Sequence, residues 1–157
     1  TNIAQTINVL QAMILTDEAR ILLTPTYHVY EMYVPHQGAT AVRTRFESEA
    51  VDYEGESGDP ASVPLFSGSA SLKGETLFVT LTHLHASKAA EITVDLLSGA
   101  TAHGAKARVL TDEIHAHNTF DDPAQVQPRA LDVKAEGSTF TLTMPPASVA
   151  ALEIALS

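Results

Sequence analysis

From Asn2 to about Thr16 the apolar residues recur at helical spacing. Ile3, Ile7, Leu10 and Ile14 fall on one face with Met13 beside them, while Thr6, Asn8 and Gln11 point elsewhere. The pattern predicts a helix, its first turn capped by the Asn2 side chain. Asp17 and Glu18 interrupt it. Ile21-Leu22-Leu23 is a short apolar run of extended type, and Thr24-Pro25 signals a second start, with Thr as cap and Pro in the first helical position. Tyr27 to Tyr33 follows as a short aromatic helix. It stops at Val34-Pro35, because a residue before proline is pushed out of the helical region.

After Gly38 the period changes from helical to alternating. Ala39 to Glu47 alternates, and strand signals then recur at Val63–Leu72, Thr76–Leu84, Ala90–Leu97, Ala105–Leu110, Ala130–Lys134, Thr139–Met144 and Val149–Leu156. Breakers separate them: Gly55, Gly58-Asp59-Pro60, Lys73-Gly74, Ser98-Gly99 and Glu136-Gly137-Ser138. Lys73-Gly74-Glu75 and Glu136-Gly137-Ser138 are short enough to be hairpin turns. About seven or eight short strands in this arrangement predict an antiparallel sandwich or jelly roll rather than a βαβ fold. The stretch Asp112 to Pro128 is too long for a plain connector and is expected to pack as a structured loop. The expected organisation is therefore helical before Gly38 and sheet after it.

Composition narrows the function classes. The chain has 157 residues, enough to bury a core without a staple, and it contains no cysteine. That excludes disulfides, thiolate catalysis and cysteine-ligated metals. Nineteen acidic against nine basic residues give a formal charge of −10, a field that repels phosphate backbones and anionic lipid surfaces. The basic residues are scattered, so neither nucleic acid nor a membrane is an expected partner. No apolar run approaches the roughly 20 residues needed to span a bilayer, and the chain reads as soluble and unexported. It begins at Thr1 inside a periodic pattern, and so reads as part of something longer.

Few residues suggest chemistry. His83-Leu84-His85 and His115-Ala116-His117 are both His-x-His, and on a strand such a pair shares one face and could offer two imidazoles to one ion. Two ligands are too few for a site, and the blander reading puts His83 and His85 on a solvated strand face and His117 in a bond within its loop. Asp112, Glu113, Asp121 and Asp122 cluster in the long loop. A glycosidase, however, needs two carboxylates facing each other across a sugar, about 5 Å or more apart, and adjacent residues seldom meet that requirement. Asp122-Pro123 reads as a turn, with Asp121 or Asp122 capping the next few residues. There is no Gly-x-Ser-x-Gly elbow and no phosphate-cradling glycine loop. Tyr27, Tyr30 and Tyr33 have the spacing of a sugar-stacking platform, though such a stripe is more often packing between a helix and its neighbour.

Three segments carry a resemblance. Asn2-Ile3-Ala4-Gln5-Thr6-Ile7-Asn8-Val9-Leu10-Gln11-Ala12, with Leu22 to Tyr33, is similar to the C-terminal part of α-L-arabinofuranosidases of glycoside hydrolase family 51. His115-Ala116-His117-Asn118-Thr119-Phe120-Asp121 resembles the Ala-His-Asn-Thr-Phe stretch of that family's C-terminal domain, and Met144 to Val149 matches as well. The resemblance implies an enzyme with a (β/α)8 barrel followed by a jelly-roll β-sandwich. Residues 1–37 would be the C-terminal end of the barrel and residues 38–157 the sandwich.

It further implies a retaining exo-hydrolase that removes terminal α-L-arabinofuranosyl groups from arabinan and arabinoxylan oligosaccharides. Such an enzyme needs no metal or organic cofactor, is cytoplasmic, and forms homo-oligomers, commonly hexamers. The family's catalytic glutamates lie in an Asn-Glu pair and an Asp-Glu-Trp-like stretch. Neither is present, and the chain has no tryptophan. No catalytic residue is therefore assigned here, and the barrel portion carrying the glutamates is an implied partner. Gln5 corresponds to a residue that hydrogen-bonds arabinose, for which an amide supplies donors and an acceptor. The competing reading of the chain is a non-catalytic carbohydrate-binding or oligomerisation module.

The resemblance also implies that a strand from the enzyme's own N-terminus completes the sandwich. Without it an open edge remains, and the segment alone is expected to associate or to leave its first ~37 residues disordered.

Overall fold

The computed structural model describes residues 3, 5–97 and 99–157. Asn2, the expected helix cap, and Ser98 of the Ser98-Gly99 breaker lie outside the described residues.

Residues 5–23 are not helical. Asn8 and Gln11 have φ of +56° and +60°, in the left-handed region, which breaks any helix at two points. Strand β1 (Ile14–Asp17) pairs antiparallel with β2 (Arg20–Leu23), and Ile7 forms a parallel bridge to Ile14. The expected apolar face has nothing to pack against: Ile7 is exposed and Leu10 is 91% exposed. A helix of that length draws its stability from a buried face, so local hydrogen bonds prevail. The Asn8 amide donates to Thr16 Oγ1 and its Oδ1 accepts from Thr16 N, both at 2.7 Å, closing the loop.

The second helix forms as expected. Helix α1 (Pro25–Tyr33) has Thr24 as its cap, whose Oγ1 accepts from Tyr27 N, and Pro25 in its first turn. At Val34–His36 the chain tightens into one 3-10 turn.

The remaining strands are β3 (Thr40–Ala41), β4 (Ala50–Glu54), β5 (Pro60–Pro64), β6 (Phe66–Lys73), β7 (Thr76–His83), β8 (Ala90–Asp95) and β9 (Ala102–Leu110). After the long loop come β10 (Arg129–Leu131), β11 (Val133–Glu136), β12 (Thr139–Met144) and β13 (Ser148–Leu156). They form a six-stranded sheet, in the order β10-β9-β13-β7-β6-β3, and a three-stranded sheet, β11-β12-β8. All strand pairings are antiparallel. The tight turns contain Gly74 and Gly137, with φ of +60° and +64°. Each is the first residue of a two-residue hairpin loop, the position that favours glycine in a type II′ turn.

Three regions depart from the sequence pattern. Of Ala39 to Glu47 only Thr40–Ala41 pairs, with Leu72 and Ser71 of β6. Val63–Leu72, read as one strand, is two. Its start belongs to β5, which pairs with an unexpected β4 in a separate hairpin whose β4 side chains are all exposed, and its remainder is β6. Gly55 to Asp59 break the chain between β4 and β5 as expected. Proline sits at both ends of β5, which is tolerated because the strand is an edge. Ala130–Lys134 is two strands, β10 and β11, one in each sheet.

The two large sheets face each other across one core. Leu77, Val79 and Leu81 of β7, Ala150, Leu152 and Ile154 of β13, and Phe140, Leu142 and Met144 of β12 belong to a single buried cluster, with Ile92, Val94 and Val133 packed against it. Alternation along β12 and β13 puts these residues inward, so the chain is mainly β and built as a sandwich. On the outer face of the six-stranded sheet, α1 lays Met32 over Leu110 and Val126, with Val29, Val149 and Ala151 around them. Glu31 pairs with Arg108 of β9 at 2.9 Å. That pair is partly exposed and is worth at most about 1 kcal/mol, so Met32 is the main anchor of the helix. No helix among the described residues is long and apolar enough to cross a membrane.

Candidate functional site

Gln5 lies just before the bridged residues of the N-terminal segment and is exposed. Its neighbour Thr6 accepts from Ile14 N at 3.1 Å, and Asn8 N donates to Ile14 O at 3.0 Å. The turn beyond Asn8 is tied to the helix start: the Thr24 hydroxyl donates to Ala12 O at 2.8 Å, and Thr24 N donates to Met13 O. Gln5 thus projects from a loop fixed at its far side by the Asn8–Thr16 bonds and the α1 cap. None of the other candidate residues joins Gln5 in a cavity among the described residues.

The long loop is held by Asn118, to which the sequence pattern assigns no role. Its buried amide donates to Leu23 O at 2.8 Å and Val126 O at 3.0 Å, and its Oδ1 accepts from Val126 N at 2.7 Å. One side chain therefore clamps the loop on itself and onto the end of β2. Arg20, paired with Asp17, lies over the Phe120 ring at 4.8 Å. The structured loop expected from its length is present, and it packs against the β1–β2 hairpin. Only the oxygen-and-amide character of Asn in a polar stretch hints at this.

The histidine pairs do not converge. His83 is buried, contrary to the solvated position expected of it, because the alternation of β7 carries it inward after Leu81. It stacks on Phe66 with ring centroids 4.3 Å apart and donates from Nδ1 to Pro145 O at 2.8 Å. His85 Nδ1 accepts from Ser87 N and Lys88 N, and His117 Nδ1 donates to His115 O within its loop. Among the described residues no group of three His, Asp or Glu is placed to hold a metal ion. At Asp121-Asp122 the turn is present, but Thr119 makes it: its Oγ1 accepts from Asp122 N and its own N–H donates to Asp122 O. Tyr27, Tyr30 and Tyr33 are all half-buried, as packing residues are.

One histidine outside both pairs is perturbed. His36, in the 3-10 turn, bonds Ser71 Oγ through Nδ1 at 2.6 Å, while its Nε2 is buried without a partner. Burial lowers its pKa below the ordinary 6.5, since the charged ring would lose hydration and leave a second N–H unpaired. A depressed histidine pKa means the unfolded chain binds the proton more readily. His36 should therefore leave stability intact above about pH 6.5 and erode it as pH falls below that value. Thermal midpoints of the protein and of His36→Asn between pH 5 and 8 test this: the variant should show the shallower loss on the acid side. Equal slopes would remove His36 from the acid response.

Comparison with known proteins decides the family. A family model described as the α-L-arabinofuranosidase C-terminal domain matches residues 1–148. The chain belongs to this family. An intracellular exo-α-L-arabinofuranosidase of Bacteroides ovatus is 35% identical over 156 residues, covering 98% of this chain and 29% of the relative. The crystal structure of the GH51 arabinofuranosidase from Xanthomonas axonopodis pv. citri superposes with a TM-score of 0.86 at 34% identity, over 96% of this chain and 30% of that one. An arabinose complex of the Thermotoga maritima α-L-arabinofuranosidase gives 0.81 at 27% identity, over 97% and 33%. The α-L-arabinofuranosidase C-terminal domain thus spans about 30% of the length of the relatives it matches. Asp121 and Asp122 are adjacent in an exposed turn rather than facing each other across a cleft.

Proposed function

We propose that this chain is the C-terminal segment of a retaining α-L-arabinofuranosidase that hydrolyses terminal α-L-arabinofuranosyl residues of arabinan and arabinoxylan oligosaccharides. The observation that carries the reading is the near-complete match to arabinofuranosidases at 34–35% identity, over only about 30% of their length. On this reading residues 1–37 belong with the (β/α)8 barrel and residues 38–157 form a jelly roll. The general acid/base and the nucleophile are two glutamates of the barrel portion. No metal or organic cofactor takes part. The enzyme works in the cytoplasm, a location supported by the intracellular relative, and assembles as a homo-oligomer of hexamer type.

Gln5 then lies at the base of the arabinose pocket, where its amide donates to one hydroxyl and its oxygen accepts from another. Its exposure and its fixed loop support this role, since a ligand-binding amide must be held yet unpaired. In the polypeptide that joins this chain to its barrel portion, Gln5→Ala should lower kcat/KM for an aryl α-L-arabinofuranoside by about 10–100-fold, the loss of one or two hydrogen bonds. The thermal midpoint should not move, because no buried partner is lost. Unchanged kcat/KM would exclude Gln5 from the pocket.

A further inference from the structure

Where α1 ends, the outer face of the six-stranded sheet is hollow. Glu153 of β13 stands between Phe78 of β7 and Lys106 of β9, all three turned away from the core. Ala151, the neighbouring outward residue of β13, lies beside Arg108. Its short side chain leaves a depression in the floor. Met32 and His36 close one side of it, and the cavity so formed measures about 120 Å³. That is roughly four water volumes, enough for one edge of a small ring molecule whose remainder stays in solvent.

The lining combines apolar surface with charges that cancel. Phe78 and Met32 supply the apolar part. Lys106 and Glu153 are directly opposite in register and exposed, yet neither belongs to an ion pair among the described residues. Arg108 gives one nitrogen to Glu31 at 2.9 Å and keeps its other N–H donors. Burial lowers the pKa of His36, so its ring adds no charge near neutral pH. An anion is the ligand that Lys106 and Arg108 alone would suggest. Glu31 and Glu153 offset them, however, and the chain's charge of −10 repels an anion further. The lining instead matches a neutral molecule with hydroxyl donors and acceptors on an apolar body, which is the chemistry of a sugar.

We propose that this cavity is a sugar-binding site of the sandwich itself, taking the edge of a neutral pentose unit. Hydroxyls of the sugar donate to Glu153 and accept from Lys106 and Arg108, while a C–H face lies on Phe78. The site stands on the geometry of the sheet and α1; the choice of a pentose as its ligand rests on the functional reading above.

Titration of L-arabinose into the chain labelled with 13C-methyl methionine tests this by NMR. Of its three methionines, Met32 lines the cavity and Met144 is fully buried in the sandwich core. The Met32 methyl resonance should move saturably with a Kd of about 10 mM, the weak affinity of so small a ligand, and Met144 should stay in place. Lys106→Ala with Glu153→Ala should raise that Kd about tenfold through the lost hydrogen bonds. Ala151→Leu, which fills the floor, should abolish the movement, with an unshifted Met144 reporting an intact core. No saturable movement of Met32, or an unchanged Kd in the double variant, would overturn the site. Saturation by inorganic phosphate but not by L-arabinose would overturn its ligand. Each of these failures leaves the functional reading standing, because that reading depends on aryl α-L-arabinofuranoside hydrolysis by the polypeptide that includes the barrel portion.

Discussion

Replacing Phe140 by alanine should destabilise the protein by about 3–5 kcal/mol, the cost of removing a large ring from a core that cannot fully collapse. Phe140 is fully buried near the start of β12, opposite Val94 of β8 and Ala135 of β11. It is the largest side chain that the three-stranded sheet presses against the six-stranded one, so the cavity would open at the contact between layers. For a chain of this size the thermal midpoint should fall by roughly 6–20 °C, read by circular dichroism. Phe46→Ala, at a position 40% exposed, should shift it far less. Equal shifts for the two variants would mean that the sheets do not meet where the core cluster places them.

Asn118→Ala should cost about 3 kcal/mol by a different route. The substitution removes no apolar contact but orphans the buried Val126 N–H and takes the amide donor from two carbonyls, Leu23 O and Val126 O. An unpaired buried polar group costs about 1–3 kcal/mol, and the N–H is the most demanding of the three. The loss is also local. Amides between Asp112 and Pro128 should lose exchange protection ahead of those in β12 and β13, whereas Phe140→Ala should loosen the strands themselves. An Asn118→Ala protein with the original midpoint and loop protection would show that the clamp contributes nothing. Asn118→Asp is the informative companion: it keeps the acceptor for Val126 N but turns a buried carboxylate oxygen toward Leu23 O and Val126 O, so it should cost at least as much as alanine.

These two residues also show what the sequence makes legible. Phe140 can be placed because Thr139 to Met144 alternates strictly and Gly137 sets the turn before it, so period and register point the same way. Val149 to Leu156 and Thr76 to Leu84 are legible as strands from their apolar and β-branched runs, but their faces are not, because the apolar residues do not alternate strictly. Asn118 cannot be placed, because its partners are Leu23, 95 residues away, and Val126, and neither leaves a periodic trace. The N-terminal segment misleads for a physical reason. Ile3, Ile7, Leu10 and Ile14 have helical spacing, but in this chain the face they define lacks a surface to bury against. Asn8 then gains more by bonding Thr16 than by staying helical. Between β4 and β5 the glycines break the chain as their composition implies, but Ala50–Glu54 goes unread because all five of its residues are exposed and no apolar face marks it. The pattern puts His83 on the wrong face because it shares a dipeptide period with His85, which already belongs to the loop beyond β7. The candidate site is less legible still, since Gln5 is one polar residue among several and only the family resemblance singles it out.

The central claim is that this domain contributes to arabinoside hydrolysis without holding the reacting carboxylates. The most direct test is the rate of aryl α-L-arabinofuranoside hydrolysis by the 157-residue chain alone and by the polypeptide that joins it to its barrel portion. Hydrolysis at the uncatalysed rate is expected for the chain alone, and enzymatic turnover for the joined polypeptide. Turnover by the chain alone would contradict the claim.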